Sequence, residues 1–152
     1  MNFGFSIVGL LFLVMLIVPN IIWSKNQPKD YEQYSGSENR ILLAFERIGQ
    51  VLVTVFSLIC GVDFHFSLLL ILGFAFMIIY ELAWVRYFRS DKTMKDMMAS
   101  FLKIPLPLAT LPVLTFLILG IVSDNVFLLV SSIILGIGHI GIHLNHKKSI
   151  IY

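Results

Sequence analysis

The chain has 152 residues, 58% of them hydrophobic and only 13% charged, roughly half the ~25% charged content of a soluble domain. Its net charge of +2 is small and not gathered on one helix face, which argues against a nucleic-acid partner. Cys60 is the single cysteine, so an internal disulfide is excluded.

The apolar residues fall in blocks of about 20, the length that crosses a ~30 Å hydrocarbon layer as a helix. The first expected span runs from Phe3 to Trp23. Met1 to Ser6 carry no Lys or Arg and the apolar run ends at Lys25, so this segment reads as a permanent span and not as a signal peptide. The polar stretch from Lys25 to Asn39 reads as a loop or lid, with Ser35 and Glu38 placed to cap the next helix. The second span covers Ile41 to Cys60. A short turn, Gly61 to His65, leads into the third span, Phe66 to Phe88, where Trp84 and Tyr87 (like Trp23 before them) suit an interfacial aromatic belt.

Thr93 and Asp96 then form a Thr-x-x-Asp capping box. Met94, Met97, Met98, Phe101 and Leu102 recur behind it at helical spacing. The pattern predicts a short amphipathic helix that either lies on the inner leaflet or packs on the bundle. Pro105 and Pro107 stand at the entry of the fourth span, Ile104 to Val122, where a missing N–H costs little. Pro112 lies inside that span and should free the Leu108 carbonyl and bend the helix. Ser123, Asp124 and Asn125 make a tight turn into the fifth span, Val126 to His146. Asp63 and His65, like Asp124 and Asn125, read as ordinary turn formers.

Five spans place all 11 Lys and Arg residues on one side. They fall between spans 1 and 2 or just beyond (Lys25, Lys29, Arg40, Arg47), around the junction of spans 3 and 4 (Arg86, Arg89, Lys92, Lys95, Lys103), and after span 5 (Lys147, Lys148). The excess of basic residues in cytoplasmic loops makes that side the cytoplasm and puts the N-terminus outside.

Ionisable groups inside a membrane are costly and mark working sites. Counted from the outer end of each span at about 1.5 Å per residue, Asn20, Glu46, Glu81, His139 and His143 all fall at roughly 20–26 Å. Gln50 follows Glu46 by one helical turn and shares its face. Arg47 points about 100° away, either to snorkel to the interface or to pair with Glu81.

The run GIGHIGIHLNH, Gly136 to His146, carries three of the four histidines. His139, His143 and His146 lie within about 60° of one helix face. Such a set, completed by a carboxylate such as Glu81, would suit a transition metal such as zinc. It lacks the intervening Glu of H-E-x-x-H. Without metal, the same residues would form a binding site or proton relay, or would simply hydrogen-bond the helices together.

The expectation is therefore an all-α, multi-pass protein of the cell membrane, a single bundle of five transmembrane helices with an interfacial helix between spans 3 and 4. Its cytoplasm-facing Glu/His site would bind or pass a small polar or amphiphilic molecule with proton coupling. Two alternatives stand beside it. One is an intramembrane enzyme acting on a lipid-like substrate, metal-dependent or using the histidines as general bases. The other is an accessory or sensor subunit. At this length, with no inverted repeat, a transporter would call for a homodimer.

Overall fold

The structure is a computed structural model describing residues 4–61 and 67–151. Phe3, Asp63, His65 and Phe66, and most of the expected turn between spans 2 and 3, lie outside the described residues. Among the described residues seven helices follow one another: α1 (Ile7–Ser24), α2 (Glu32–Ser35), α3 (Arg40–Leu58), α4 (Leu68–Phe88), α5 (Met94–Met98), α6 (Pro107–Val122) and α7 (Val126–Ile151). No strand occurs among the described residues, only isolated bridges such as Gly4 to Cys60, which ties the start of the chain to the end of α3.

Four helices, α1, α3, α4 and α7, are long and apolar enough to cross a membrane. The fourth expected span is shorter than its apolar run. Leu102, Lys103 and Leu106 adopt left-handed backbone angles, and Phe101 pairs with Ile104 across a tight turn. The helix therefore begins only at Pro107, with proline in its first turn. Its 16 residues rise about 24 Å. α6 is the centre of the bundle, buried from Leu108 to Gly120 on nearly every face and packed on α4 and α7.

Side-chain caps start α1, α3, α5 and α7. The Ser6 hydroxyl accepts from Gly9 N at 2.9 Å, and Asn125 Oδ1 accepts from Leu128 N at 3.1 Å. At α3 the cap is Asn39, whose side chain accepts from Ile41 N and Leu42 N, and not the expected Ser35 or Glu38. An Asn immediately before the helix reaches its first free amides directly. Pro19 sits inside α1, a breaker that hydropathy alone passes over.

The outward faces of the long helices carry exposed large apolar side chains, among them Ile17 and Ile21 on α1, Ile48 and Val55 on α3, Ile78 and Leu82 on α4, and Ile133 and Ile137 on α7. Soluble monomers rarely expose contiguous apolar surface on this scale. A bundle immersed in hydrocarbon requires it.

The amphipathic segment forms, with the expected capping box between Thr93 and Asp96 in place. Its apolar face does not rest on a leaflet. Met94, Met97 and Met98 are buried in the core, and α5 packs against α7. Arg86 holds it there, its guanidinium donating to the carbonyls of Asp96, Ala99 and Ser100 at 2.9–3.3 Å and lying 5.5 Å from the Phe101 ring. The loop after α1 docks on the same segment. Met94 N donates to Asp30 Oδ1 at 2.8 Å, Lys92 Nζ to Asn26 Oδ1 at 2.8 Å, and Tyr87 Oη to the Asn26 carbonyl at 2.9 Å. Trp84 and Tyr87 are likewise core residues, 3% and 0% exposed, and not members of an interfacial belt.

Candidate functional site

The site is built on a close helix crossing, between α3 and α7. A Cβ added at Gly138 would lie 2.6 Å from the Leu42 carbonyl oxygen and 2.7 Å from Glu46 Cα, and closer still to Glu46 N. A Cβ at Gly49 would lie 2.5 Å from the Leu135 backbone. Each helix thus offers a notch to the other's main chain, an approach open only to a residue without a side chain. Because Gly138 touches the backbone of Glu46, the next residue, His139, comes beside the Glu46 side chain.

His139 Nδ1 stands 2.5 Å from Glu46 Oε1, both side chains being largely buried. A carboxylate only accepts, so Nδ1 carries the proton and donates, leaving Nε2 free. One turn on, His143 Nδ1 donates to the His139 carbonyl at 2.8 Å, which fixes the same tautomer. The His139 and His143 rings are 4.4 Å apart, and the His143 and His146 rings 6.5 Å apart. His146 Nε2 ends the row 3.3 Å from Glu38 Oε1. Three imidazoles therefore run in line between two carboxylates.

This row lines a chamber of about 230 Å³ at the end of the bundle that bears the basic loops. Asn20 from α1, Leu43, Glu46, Arg47 and Gln50 from α3, Trp84 from α4, Leu108 from α6 and the α7 histidines form its walls. Trp23, Tyr31, Glu38, Met94, Met97 and Met98 complete its lining. Asn20 is held by Tyr80, donating from Nδ2 to Oη at 3.0 Å. Trp23 Nε1 is buried without a hydrogen-bond partner among the described residues. In the loop, burial and the nearby Glu46 charge push the Glu38 carboxyl above its ordinary value, with Arg47 acting in the opposite sense. Burial, aided by Glu38 and Glu46, also raises the Tyr31 hydroxyl.

Of the residues singled out in the sequence, Asn20, Glu46, Gln50, His139, His143 and His146 meet in this chamber. Glu81 does not. It lines no part of the chamber and makes no hydrogen bond or ion pair with any described residue. The buried residues of α4 are Leu70, Gly73, Met77, Tyr80, Ala83, Trp84 and Tyr87, a stripe at helical spacing, and Glu81 falls beside it. Depth along a helix says nothing of angle about it. The same placement removes the carboxylate from the expected metal set. Among the described residues no three His, Cys, Asp or Glu side chains converge as a metal site requires. Arg47 reaches the chamber and not Glu81.

Sequence reasoning missed Glu38, Trp23, Tyr31 and Trp84 as lining residues. Glu38 had a detectable signal, lying eight residues before Glu46 beside the helix start, but a loop's path is not readable from periodicity. In comparisons with known proteins, no family model, no curated protein and no solved structure matches this chain. The chemistry of the chamber is left to carry the functional reading.

Proposed function

We propose that this chain is a five-span protein of the cell membrane, N-terminus outside and C-terminus in the cytoplasm. Its chamber, at the cytoplasmic end, binds or passes a small polar or amphiphilic molecule. The apolar outer surface and the placement of every Lys and Arg at one end support the topology. The observation that carries the binding reading is the Glu46–His139 pair, 2.5 Å apart, in the wall of a part-open cavity. Pockets of this kind combine apolar and aromatic walls with a few placed polar groups, which is how small ligands are held. The carboxylate orients the imidazole and leaves Nε2 to take a hydrogen bond or a proton from whatever enters. His143 stands next in line, so a proton accepted at His139 has a second acceptor 4.4 Å away, ring to ring.

The same carboxylate-oriented imidazole is also the arrangement of a general base. An intramembrane enzyme acting on a lipid-like molecule is therefore the second reading, and turnover of the bound molecule separates the two.

The test is native mass spectrometry with elemental analysis of protein purified in mild detergent. The wild type should retain a defined non-protein mass, and His139→Leu and Glu46→Gln should lose it while melting within a few degrees of the wild type. Equal retention by both variants would place the ligand elsewhere, and an empty wild type would remove the reading.

A further inference from the structure

A second cavity, of about 440 Å³, lies between α1, α3, α6 and α7 and shares Asn20, Gln50 and His139 with the chamber. Away from those three residues it is a groove of aliphatic side chains such as Leu16, Ile17, Val53 and Leu135. Its two hydroxyls are already committed to their own helices. Ser24 donates to the Ile21 carbonyl and Thr54 to the Gln50 carbonyl, each at 2.7 Å. The groove is apolar in effect from Leu16 to the shared Asn20, roughly 6 Å along α1.

At its junction with the chamber the chemistry changes. The Gln50 side-chain amide makes no hydrogen bond to any described residue, and His139 has its Nε2 free once Nδ1 is bound to Glu46. A donor and an acceptor left open beside hydrocarbon each cost stability unless something satisfies them. An apolar trough ending in such a pair matches one kind of molecule, a lipid lying with its tail along α1 and its head in the chamber.

We propose that the two cavities form one site for a single-tailed amphiphile with an uncharged, hydroxyl-bearing headgroup. This rests on the chamber being a binding site, as proposed above, and specifies its ligand class. The hydroxyl donates to His139 Nε2 and accepts from the Gln50 amide. An anionic head would meet Arg47 in the chamber wall but would also face Glu46 and Glu38. A cationic head would find the Glu46 carboxylate already engaged by His139.

The experiment uses the full-length protein in lipid nanodiscs and a monoacylglycerol carrying a diazirine in its tail, with adducts mapped by mass spectrometry. Adducts should concentrate at Leu16, Val53 and Leu135, at least fivefold over the outward-facing Ile78 and Ile133. Gln50→Leu should reduce the groove adducts severalfold and leave those at Ile78 and Ile133 unchanged. The fatty acid with the same labelled tail should mark the groove less than the monoacylglycerol. Even labelling of groove and outer faces would reduce the lipid to ordinary surrounding bilayer and overturn the proposal, as would preference for the anionic probe. If native mass spectrometry finds a His139-dependent small molecule while the groove stays unlabelled, the chamber reading stands and this inference fails. If neither appears, both fail.

Discussion

Gly138→Ala should uncouple the site from the fold more sharply than any substitution of a polar residue. The added methyl would lie 2.6 Å from the Leu42 oxygen and 2.7 Å from Glu46 Cα, whereas carbon contacts settle near 3.5 Å or beyond. Neither neighbour is a flexible side-chain tip, so α3 and α7 must part by roughly 1 Å. Overpacking of this kind costs about 1–3 kcal/mol. The same shift stretches the 2.5 Å contact of Glu46 with His139 past the ~3.2 Å reach of a good hydrogen bond. Together the loss should be roughly 2–4 kcal/mol. Two glycines serve as controls. Gly36 has nothing within 4 Å of an added Cβ, and its alanine variant should stay within about 0.5 kcal/mol of the wild type. Gly136 meets Val113 Cγ1 at 3.0 Å and Ile140 Cδ1 at 4.0 Å, side-chain ends that can yield, and should cost less than about 1 kcal/mol. Equilibrium unfolding in mixed micelles ranks the three. If Gly138→Ala unfolds at the same denaturant concentration as Gly36→Ala, the backbone notch, and the positioning of Glu46 and His139 derived from it, is wrong.

Four further outcomes are expected. Met97→Asp buries a charge in a core position that is 8% exposed and should lower global stability by more than about 3 kcal/mol. A bundle that melts normally with only this segment open to protease would return α5 to the leaflet surface. Glu81→Gln should leave ligand retention and stability within about 0.5 kcal/mol of the wild type, while Glu46→Gln abolishes retention, and equal effects in a side-by-side mass measurement would restore Glu81 to the site. Glu38 holds its proton more tightly in the folded protein than its ordinary value of 4.5. Its share of stability is therefore complete below that value and declines as pH rises through the raised one. Glu38→Gln should remove that decline, so parallel stability–pH curves for the two proteins would contradict the assignment. In a Cys60→Ser background, a cysteine at Lys95 should react with impermeant maleimide only from the cytoplasmic face and one at Asp124 only from outside, and labelling of both from one face would discard the five-span topology.

The long helices were legible because hydrophobic blocks state them directly, and the Thr93–Asp96 box because its two residues are local. The His139 row was legible because 3.6-residue periodicity puts His139, His143 and His146 on one face without help from the rest of the fold. Glu81 shows the limit of depth as a guide. It shares a level with Glu46, but the spacing of Leu70, Gly73, Met77, Tyr80, Ala83, Trp84 and Tyr87 turns it off the buried stripe. Angular position was recoverable from that stripe, whereas the partner of each helix was not. That Gly49 and Gly138 face one another's helices, and so bring Glu46 to His139, depends on α3 meeting α7 across the bundle, a contact between residues about 90 apart in sequence. The retreat of α6 to Pro107 and the burial of Met94, Met97 and Met98 depend likewise on what the tertiary packing leaves room for.

The most direct measurement is a lipidic-phase crystal structure of the full chain grown with monoacylglycerol as host lipid. The account predicts Glu46 and His139 in hydrogen-bond contact across the α3–α7 crossing. It also predicts continuous non-protein density running from Gln50 and His139 along the groove beside Ile17. A chamber closed by side chains, or a Glu46 carboxylate turned outward with His139 bonded elsewhere, would contradict it.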